Sequence, residues 1–267
     1  MTEKQEPITY PPVGRCIYCG RSDTKLTKEH IVAEALGGKL ILPKATCLEC
    51  AKSTCRAETH CFHKTLKAPR ARFKFPSKRP SPKTLKLKTI EAETTTVADV
   101  SIDDYPTALV LPTFNNPQLL IEALPNELSS TDRNLYGLWH SHHKSADSLQ
   151  KLIQKIPQPT KAILAEGSWI WFARMFAKIG HAYAVAEFGI DAFEPMLTDL
   201  IRERTEDFNG LIGNDLDVPD PVAANAQLWL RDSNVRGDRL VIASIQIFCQ
   251  VRTPIYHVVV GKFLDSE

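Results

Sequence analysis

Two Cys-x2-Cys pairs constrain this chain more than any other feature of its sequence. Cys16 and Cys19 form the first pair, and Cys47 and Cys50 form the second. Each pair presents two thiolates on one tight turn, and two pairs complete the four-sulfur site that structural zinc prefers. Disulfides or free thiols are the alternatives. The sequence therefore predicts a structural zinc site, with room between the pairs for two strands and a loop.

The chain around these cysteines predicts the order strand, strand, helix. Residues 25–31 have a strand-like pattern, and the apolar run 40–42 predicts a second strand that ends at Pro43. From Leu48 to Leu66 there is neither Gly nor Pro, which favours a helix of about five turns. Thr46 is the residue expected to cap this helix.

Several short motifs in this segment agree in order and spacing with a known family. The strings are Cys-Ile-Tyr-Cys-Gly at 16–20, Leu-Thr-Lys-Glu-His-Ile at 26–31, Leu-Gly-Gly at 36–38, and Leu-Pro-Lys-Ala-Thr-Cys-Leu-Glu-Cys at 42–50. They resemble the cysteine-containing branch of the HNH endonucleases. The resemblance covers residues 14–66, about a fifth of the chain. It implies a zinc-stapled ββα-metal finger, in which an acidic residue and a His end the first strand.

The resemblance also implies roles for individual residues. Hydrolysis of a phosphodiester needs a base that deprotonates the attacking water and a cation at the phosphate oxygens. His30 is implied as the general base, and Glu29 as a ligand of a catalytic divalent ion such as magnesium or manganese. A helix residue would complete the site. Glu58 is favoured for this catalytic and metal-binding role, then His60, with His63 as a further alternative.

Two positions depart from the family pattern. The family usually has an Asn in the second strand that orients the base His, where this chain has Leu42, Pro43 and Lys44. Asn also commonly follows the second Cys pair, where this chain has Ala51. A metal-dependent endonuclease that hydrolyses phosphodiester bonds in DNA is the leading hypothesis. The alternatives are a catalytically inactive, zinc-stapled nucleic-acid-binding protein and a zinc-held interaction protein.

Charge is distributed unevenly along the chain. Residues 1–90 contain 19 of the 33 Lys and Arg residues but only 7 of the 31 Asp and Glu residues. A basic surface of this kind favours a polyanionic partner, because phosphate neutralisation supplies most non-specific nucleic-acid affinity. We expect DNA rather than RNA as the partner, and residues 67–94 as a basic, Pro-containing linker. The residues expected to contact nucleic acid are Lys64, Lys67, Arg70, Arg72, Lys74, Lys78 and Arg79.

Residues 95–267 predict an α+β domain of unknown role. Strands are expected at 107–112 and 119–124, a mostly helical part at 129–156, helices at 169–188 and 191–204, and antiparallel strands at 226–230, 239–251 and 255–261. The predicted fold class is therefore α+β, with a small N-terminal finger followed by a larger domain. That domain has a central helical part and C-terminal antiparallel strands.

No segment of the sequence predicts membrane insertion. The first fifteen residues lack an apolar targeting run. The apolar segment 169–188 carries Arg174, Lys178, His181 and Glu187, which favours a buried helix over a membrane span. His181 is expected to be a hydrogen-bonded core residue. We expect a cytoplasmic location and no membrane partner.

Overall fold

The computed structural model of the chain describes residues 6–76, 82–91, 94–114, 135–140, 161–163, 168–208, 210–215 and 218–264, and the isolated positions 117, 120 and 154. Near the N-terminus, a three-stranded sheet contains β1 (Ile8–Thr9), β2 (Leu26–His30) and β3 (Leu40–Cys47). Strand β3 lies in the middle, parallel to β1 and antiparallel to β2. Helix α1 (Leu48–Thr59) follows β3 directly. The predicted order of strand, strand, helix is confirmed.

Strand β3 continues through Pro43, so the prediction that it ends there was wrong. The β2–β3 register pairs Thr27 with Thr46 and Glu29 with Leu42, which leaves three residues of β3 opposite one residue of β2. Lys44 in this bulge has a positive φ of 49°. Proline is tolerated at such a bulge because no ladder hydrogen bond from its nitrogen is required there.

The long helix predicted from residue 48 to 66 is divided into shorter parts. Helix α1 ends at Thr59, a π-helical segment spans His60–Thr65, and helix α2 spans Lys67–Arg72. The cap of α1 is Cys47, whose sulfur accepts a hydrogen bond from the backbone N–H of Cys50, and not Thr46 as predicted. Thr46 directs its hydroxyl to Glu29 instead. The expected linker therefore begins with a helix.

Two further small sheets lie in the middle of the chain. One contains β4 (Thr84–Glu91), β5 (Thr94–Ser101) and β8 (Lys161–Ile163), and β4 is its central strand. The other pairs β6 (Thr107–Pro112) with β7 (Leu135–His140). The strand predicted at 107–112 is confirmed. Residues 135–140 form a strand where helix was expected, and the strand predicted at 119–124 lies almost entirely outside the described residues.

Helix α3 (Trp169–Phe188) has the bounds that the sequence predicted, and it lies on a five-stranded antiparallel sheet. The strands of this sheet are β9 (Phe193–Pro195), β10 (Ile212–Asn214), β11 (Ala226–Val235), β12 (Asp238–Ile247) and β13 (Tyr256–Phe263). Gly180 lets the helix approach closely, since a Cβ there would lie 3.1 Å from Ala243 and 3.2 Å from Val258. The C-terminal antiparallel strands and the α+β class are confirmed.

The helix predicted at 191–204 was wrong in its first half. Pro195 cannot continue a helix, and residues 193–195 pair with β13 as strand β9. Only the short helix α4 (Thr198–Ile201) forms after them. None of the described helices is both long enough and apolar enough to span a membrane.

Helix α3 separates the N-terminal finger from the five-stranded sheet and packs against both. One continuous hydrophobic core includes side chains from the finger, from α3 and from the sheet, among them Ile31, Phe62, Phe176 and Val258. The finger and the C-terminal region are thus joined by a shared core. This position of α3 determines the environment of the candidate site.

Candidate functional site

The four cysteines converge as the sequence predicted. The sulfur atoms of Cys16, Cys19, Cys47 and Cys50 all lie within 4.8 Å of one another, and those of Cys19 and Cys47 are 3.7 Å apart. Tetrahedral zinc with Zn–S bonds of about 2.3 Å places its sulfurs about 3.8 Å apart, so the arrangement fits this ion. None of these cysteines forms a disulfide. The four residues are positioned to hold a structural metal ion such as zinc.

Local backbone structure explains why the four sulfurs meet. The first pair lies on a tight turn in which Gly20, with a φ of 74°, donates its N–H to the carbonyl of Cys16. The second pair lies where β3 becomes α1. The pKa of Cys16 is lowered, first by a hydrogen bond from the Cys50 thiol and also by backbone amides of the turn. The same hydrogen bond raises the pKa of Cys50, so zinc would have to displace this proton to bind both residues as thiolates.

Glu29, the residue expected to bind a catalytic ion, binds a lysine in the structure. Its side chain is only 7% exposed, and its Oε1 atom lies 2.8 Å from the Nζ atom of Lys178 on α3. Its second oxygen, Oε2, accepts a hydrogen bond of 2.6 Å from the Thr46 hydroxyl. Both carboxylate oxygens of Glu29 therefore already have a partner in the protein.

Glu58 approaches the same ammonium group from helix α1. Its Oε1 atom lies 2.9 Å from Lys178 Nζ, and its side chain is 26% exposed. Lys178 also donates to the carbonyl oxygens of His30 and, at 3.3 Å, of Ile31. Burial by itself lowers the pKa of Lys178, but the two carboxylates outweigh it and raise the pKa above its ordinary value. Lys178 is therefore charged at neutral pH.

His30 lies at the end of β2, beside Glu29. Its Nε2 atom is 3.4 Å from a carboxylate oxygen of Glu34, and its Nδ1 atom is buried without a hydrogen-bond partner. Burial lowers the pKa of His30, with smaller contributions in the same direction from Lys28 and Lys178, while Glu34 opposes them. The imidazole is accordingly neutral near pH 7, which is the form that accepts a proton.

His60, the next candidate for a helix ligand, points to a different part of the surface. Its ring stacks on Trp171 with centroids 4.2 Å apart and an interplanar angle of 9°. Together with Lys64, Ser168 and Phe172, it lines a small cavity of about 210 Å³. His60 is thus associated with α3 through an aromatic contact and does not join the Glu29–Glu58 pair.

These contacts test whether the predicted residues suit a divalent ion. Within the ranges that the structure describes, the four cysteines are the only group of three or more Cys, His, Asp or Glu side chains whose ligand atoms converge. Glu29 and Glu58 do converge, but on the ammonium of Lys178. In this structure the two carboxylates therefore hold an ammonium ion.

The basic residues expected to contact nucleic acid fall into three groups. Lys64, Lys67 and Lys74 are exposed. Arg70 is partly buried and donates to the carbonyl oxygens of Ala35, at 2.8 Å, and Phe62, at 3.2 Å. Arg72 forms an ion pair with Asp103 at 3.5 Å. Protein groups thus engage the two arginines, and Lys78 and Arg79 lie outside the described residues.

Lys178 is the residue at this site that the sequence did not predict. It lies 120 positions from Glu58 and outside every motif. The charge of Lys178 was itself a sign of this role, because a lysine within an apolar, core-facing helix must form ion pairs or hydrogen bonds. His181 lies one turn further along α3, and its Nε2 atom is 2.7 Å from the carbonyl oxygen of Ile17. This contact agrees with the expectation of a core histidine.

Comparison with known proteins supports the resemblance found in the motifs. Residues 16–58 match the model of a family described as HNH endonuclease. The match begins at the first cysteine of the first pair and ends at Glu58, so it includes Glu29 and His30. No curated protein and no solved structure matches the chain. Residues 16–58, which we name the HNH segment, are thus similar to HNH endonucleases, and this similarity suggests a role in nucleic-acid cleavage or binding.

Proposed function

We propose that this chain is an HNH-type endonuclease that hydrolyses phosphodiester bonds in DNA, with His30 as the general base. The HNH match over residues 16–58 is the observation that carries the proposal. The lowered pKa of His30, whose side chain is 21% exposed, supports a base role, because the neutral imidazole is the form that accepts a proton. The exposed lysines 64, 67 and 74 support contact with the phosphate backbone, because they lie beside the same segment.

The chemistry requires that His30 take one proton from the attacking water. The water oxygen forms a bond to phosphorus, the bond from phosphorus to the leaving oxygen breaks, and the leaving oxygen takes a proton from solvent. The carboxylate of Glu34, 3.4 Å from His30 Nε2, stabilises the positive charge that the imidazole gains. Magnesium or manganese is the ion that the family resemblance implies. We assign no step to it, because Glu29 and Glu58 bind Lys178.

The decisive experiment compares cleavage by the wild type and by His30→Ala. Supercoiled plasmid, linear duplex DNA and single-stranded RNA are incubated with zinc-loaded protein in magnesium, in manganese and without either ion. General-base catalysis contributes about 10²–10⁴-fold. We therefore expect His30→Ala to lose at least 100-fold in rate, while the exposed-site control Asp23→Ala stays near wild type. Equal rates for wild type and His30→Ala would refute the base role.

A second candidate function is nucleic-acid binding without cleavage. The engagement of Glu29 and Glu58 by Lys178 favours it, because those carboxylates are not available to a metal ion. Under this alternative no substrate is cut, but binding weakens steeply with salt. Lys67→Ala is then expected to reduce the slope of log K against log salt by about one, since one phosphate contact is lost. Absence of both cleavage and binding at moderate salt would exclude both functions.

A further inference from the structure

The oxygen atoms around the Lys178 ammonium form a cage of the type that hard cations prefer. Two are carboxylate oxygens, from Glu29 at 2.8 Å and Glu58 at 2.9 Å. Two are backbone carbonyl oxygens, from His30 and Ile31. Magnesium, manganese and calcium also take carboxylate and carbonyl oxygens as ligands. The ammonium therefore lies where a divalent ion would find its ligands.

Moving the Lys178 ammonium away from these oxygen atoms is energetically unfavourable. Its side chain is 2% exposed, and the neighbouring α3 residues Ala177 and Ile179 are buried in the core. Withdrawing the ammonium without a replacement partner would leave buried charges unpaired, which is strongly unfavourable. The lysine is also tethered, so it competes with a free ion at a high effective concentration.

Glu29 is held by a second contact besides the ammonium. Thr46 donates to its Oε2 atom at 2.6 Å, and this threonine is fully buried at the end of β3. A divalent ion would thus have to displace the ammonium before it could reach both carboxylates.

We propose that the ammonium of Lys178, supplied by helix α3, is the cation of the Glu29–Glu58 pair and excludes divalent metal ions from it. The carboxylates of the HNH segment are then neutralised by a residue far outside that segment. The identity of the cation at the Glu29–Glu58 pair does not depend on whether the chain cleaves nucleic acid. An error about the cation and an error about the proposed function would therefore give different experimental results.

Manganese binding to the zinc-loaded full chain tests the proposal directly. Free Mn²⁺ is measured by electron paramagnetic resonance during titration of the wild type, Glu29→Gln, Lys178→Met and the double variant Lys178→Met/Glu29→Gln. We expect the wild type and Glu29→Gln to bind Mn²⁺ equally weakly. Lys178→Met is expected to gain one Mn²⁺ per chain, at least tenfold tighter than any wild-type binding, and the double variant to lose it.

Two results would overturn the proposal. The first is a wild-type chain that binds one Mn²⁺ and loses at least tenfold in affinity on Glu29→Gln. The second is a folded Lys178→Met variant that gains no Mn²⁺ site. If Lys178→Met does not fold, the comparison of wild type with Glu29→Gln still decides, because Glu29→Gln leaves Lys178 paired with Glu58.

Discussion

Replacing Lys178 by Met is expected to destabilise the fold by about 3 kcal/mol. Removing one partner of a buried ion pair costs about 3–5 kcal/mol, because the remaining charge stays buried. Here the cost falls mainly on Glu29, whose side chain is 7% exposed and keeps only the hydrogen bond from Thr46. Glu58 is 26% exposed and can turn towards water, which places the estimate at the lower end of that range.

A double-mutant cycle separates the ion pair from ordinary packing. Glu29→Gln removes the negative charge but keeps an oxygen that accepts from Thr46, and Lys178→Met removes the ammonium while preserving most of the side-chain volume. Because the double variant leaves neither charge unpaired at this contact, we expect it to recover about 2 kcal/mol relative to the sum of the single variants. The coupling energy measures the interaction between the two groups.

Urea denaturation at fixed zinc concentration provides the measurement. Two of the four tryptophans, Trp169 and Trp171, lie on α3, so tryptophan fluorescence reports in part on this helix. The reasoning would be refuted if Lys178→Met cost less than about 1 kcal/mol, or if the two substitutions were additive within about 0.5 kcal/mol. Either result would mean that Lys178 and Glu29 do not depend on each other in the folded protein.

Two further predictions concern the zinc site and acid stability. The zinc-loaded chain should contain one zinc per molecule by elemental analysis; Cys47→Ser should lose it, and the exposed-site control Cys55→Ser should retain it. Burial lowers the pKa of His181 to about 4. The unfolded chain therefore protonates this histidine near pH 6.5, before the folded chain does, and folding stability should fall between pH 6.5 and 4 by about 3 kcal/mol. His181→Gln should reduce that dependence in zinc-saturated urea titrations, and an unchanged slope would contradict the buried, neutral state.

The four-cysteine site could be predicted from the sequence because its determinants are local. Cys16 and Cys19 share one turn, and Cys47 and Cys50 share the first turn of α1, so the spacing within each pair fixes its geometry. Apolar periodicity likewise predicted the bounds of α3. In each case, neighbouring residues along the chain contain the information.

Other features depended on partners that the sequence does not place. Pro43 was expected to end β3, but the bulge opposite β2 removes the need for its missing N–H. Nothing in the sequence indicates that the guanidinium of Arg70 donates to the carbonyl oxygens of Ala35 and Phe62. The sequence of a basic tract does not reveal which partner each basic residue has, so Arg70 could not be distinguished from the exposed lysines.

The candidate site includes residues from outside the HNH segment. The segment supplies the cysteines, Glu29, His30 and Glu58, but the cation that holds the two glutamates comes from α3. His181, also on α3, places its Nε2 atom 2.7 Å from the carbonyl oxygen of Ile17, in the turn of the first Cys pair. Since an unpaired buried Glu29 would be strongly destabilising, the arrangement of the glutamates requires α3 to be docked. The C-terminal region, through this one helix, therefore sets the electrostatic state of the candidate active site.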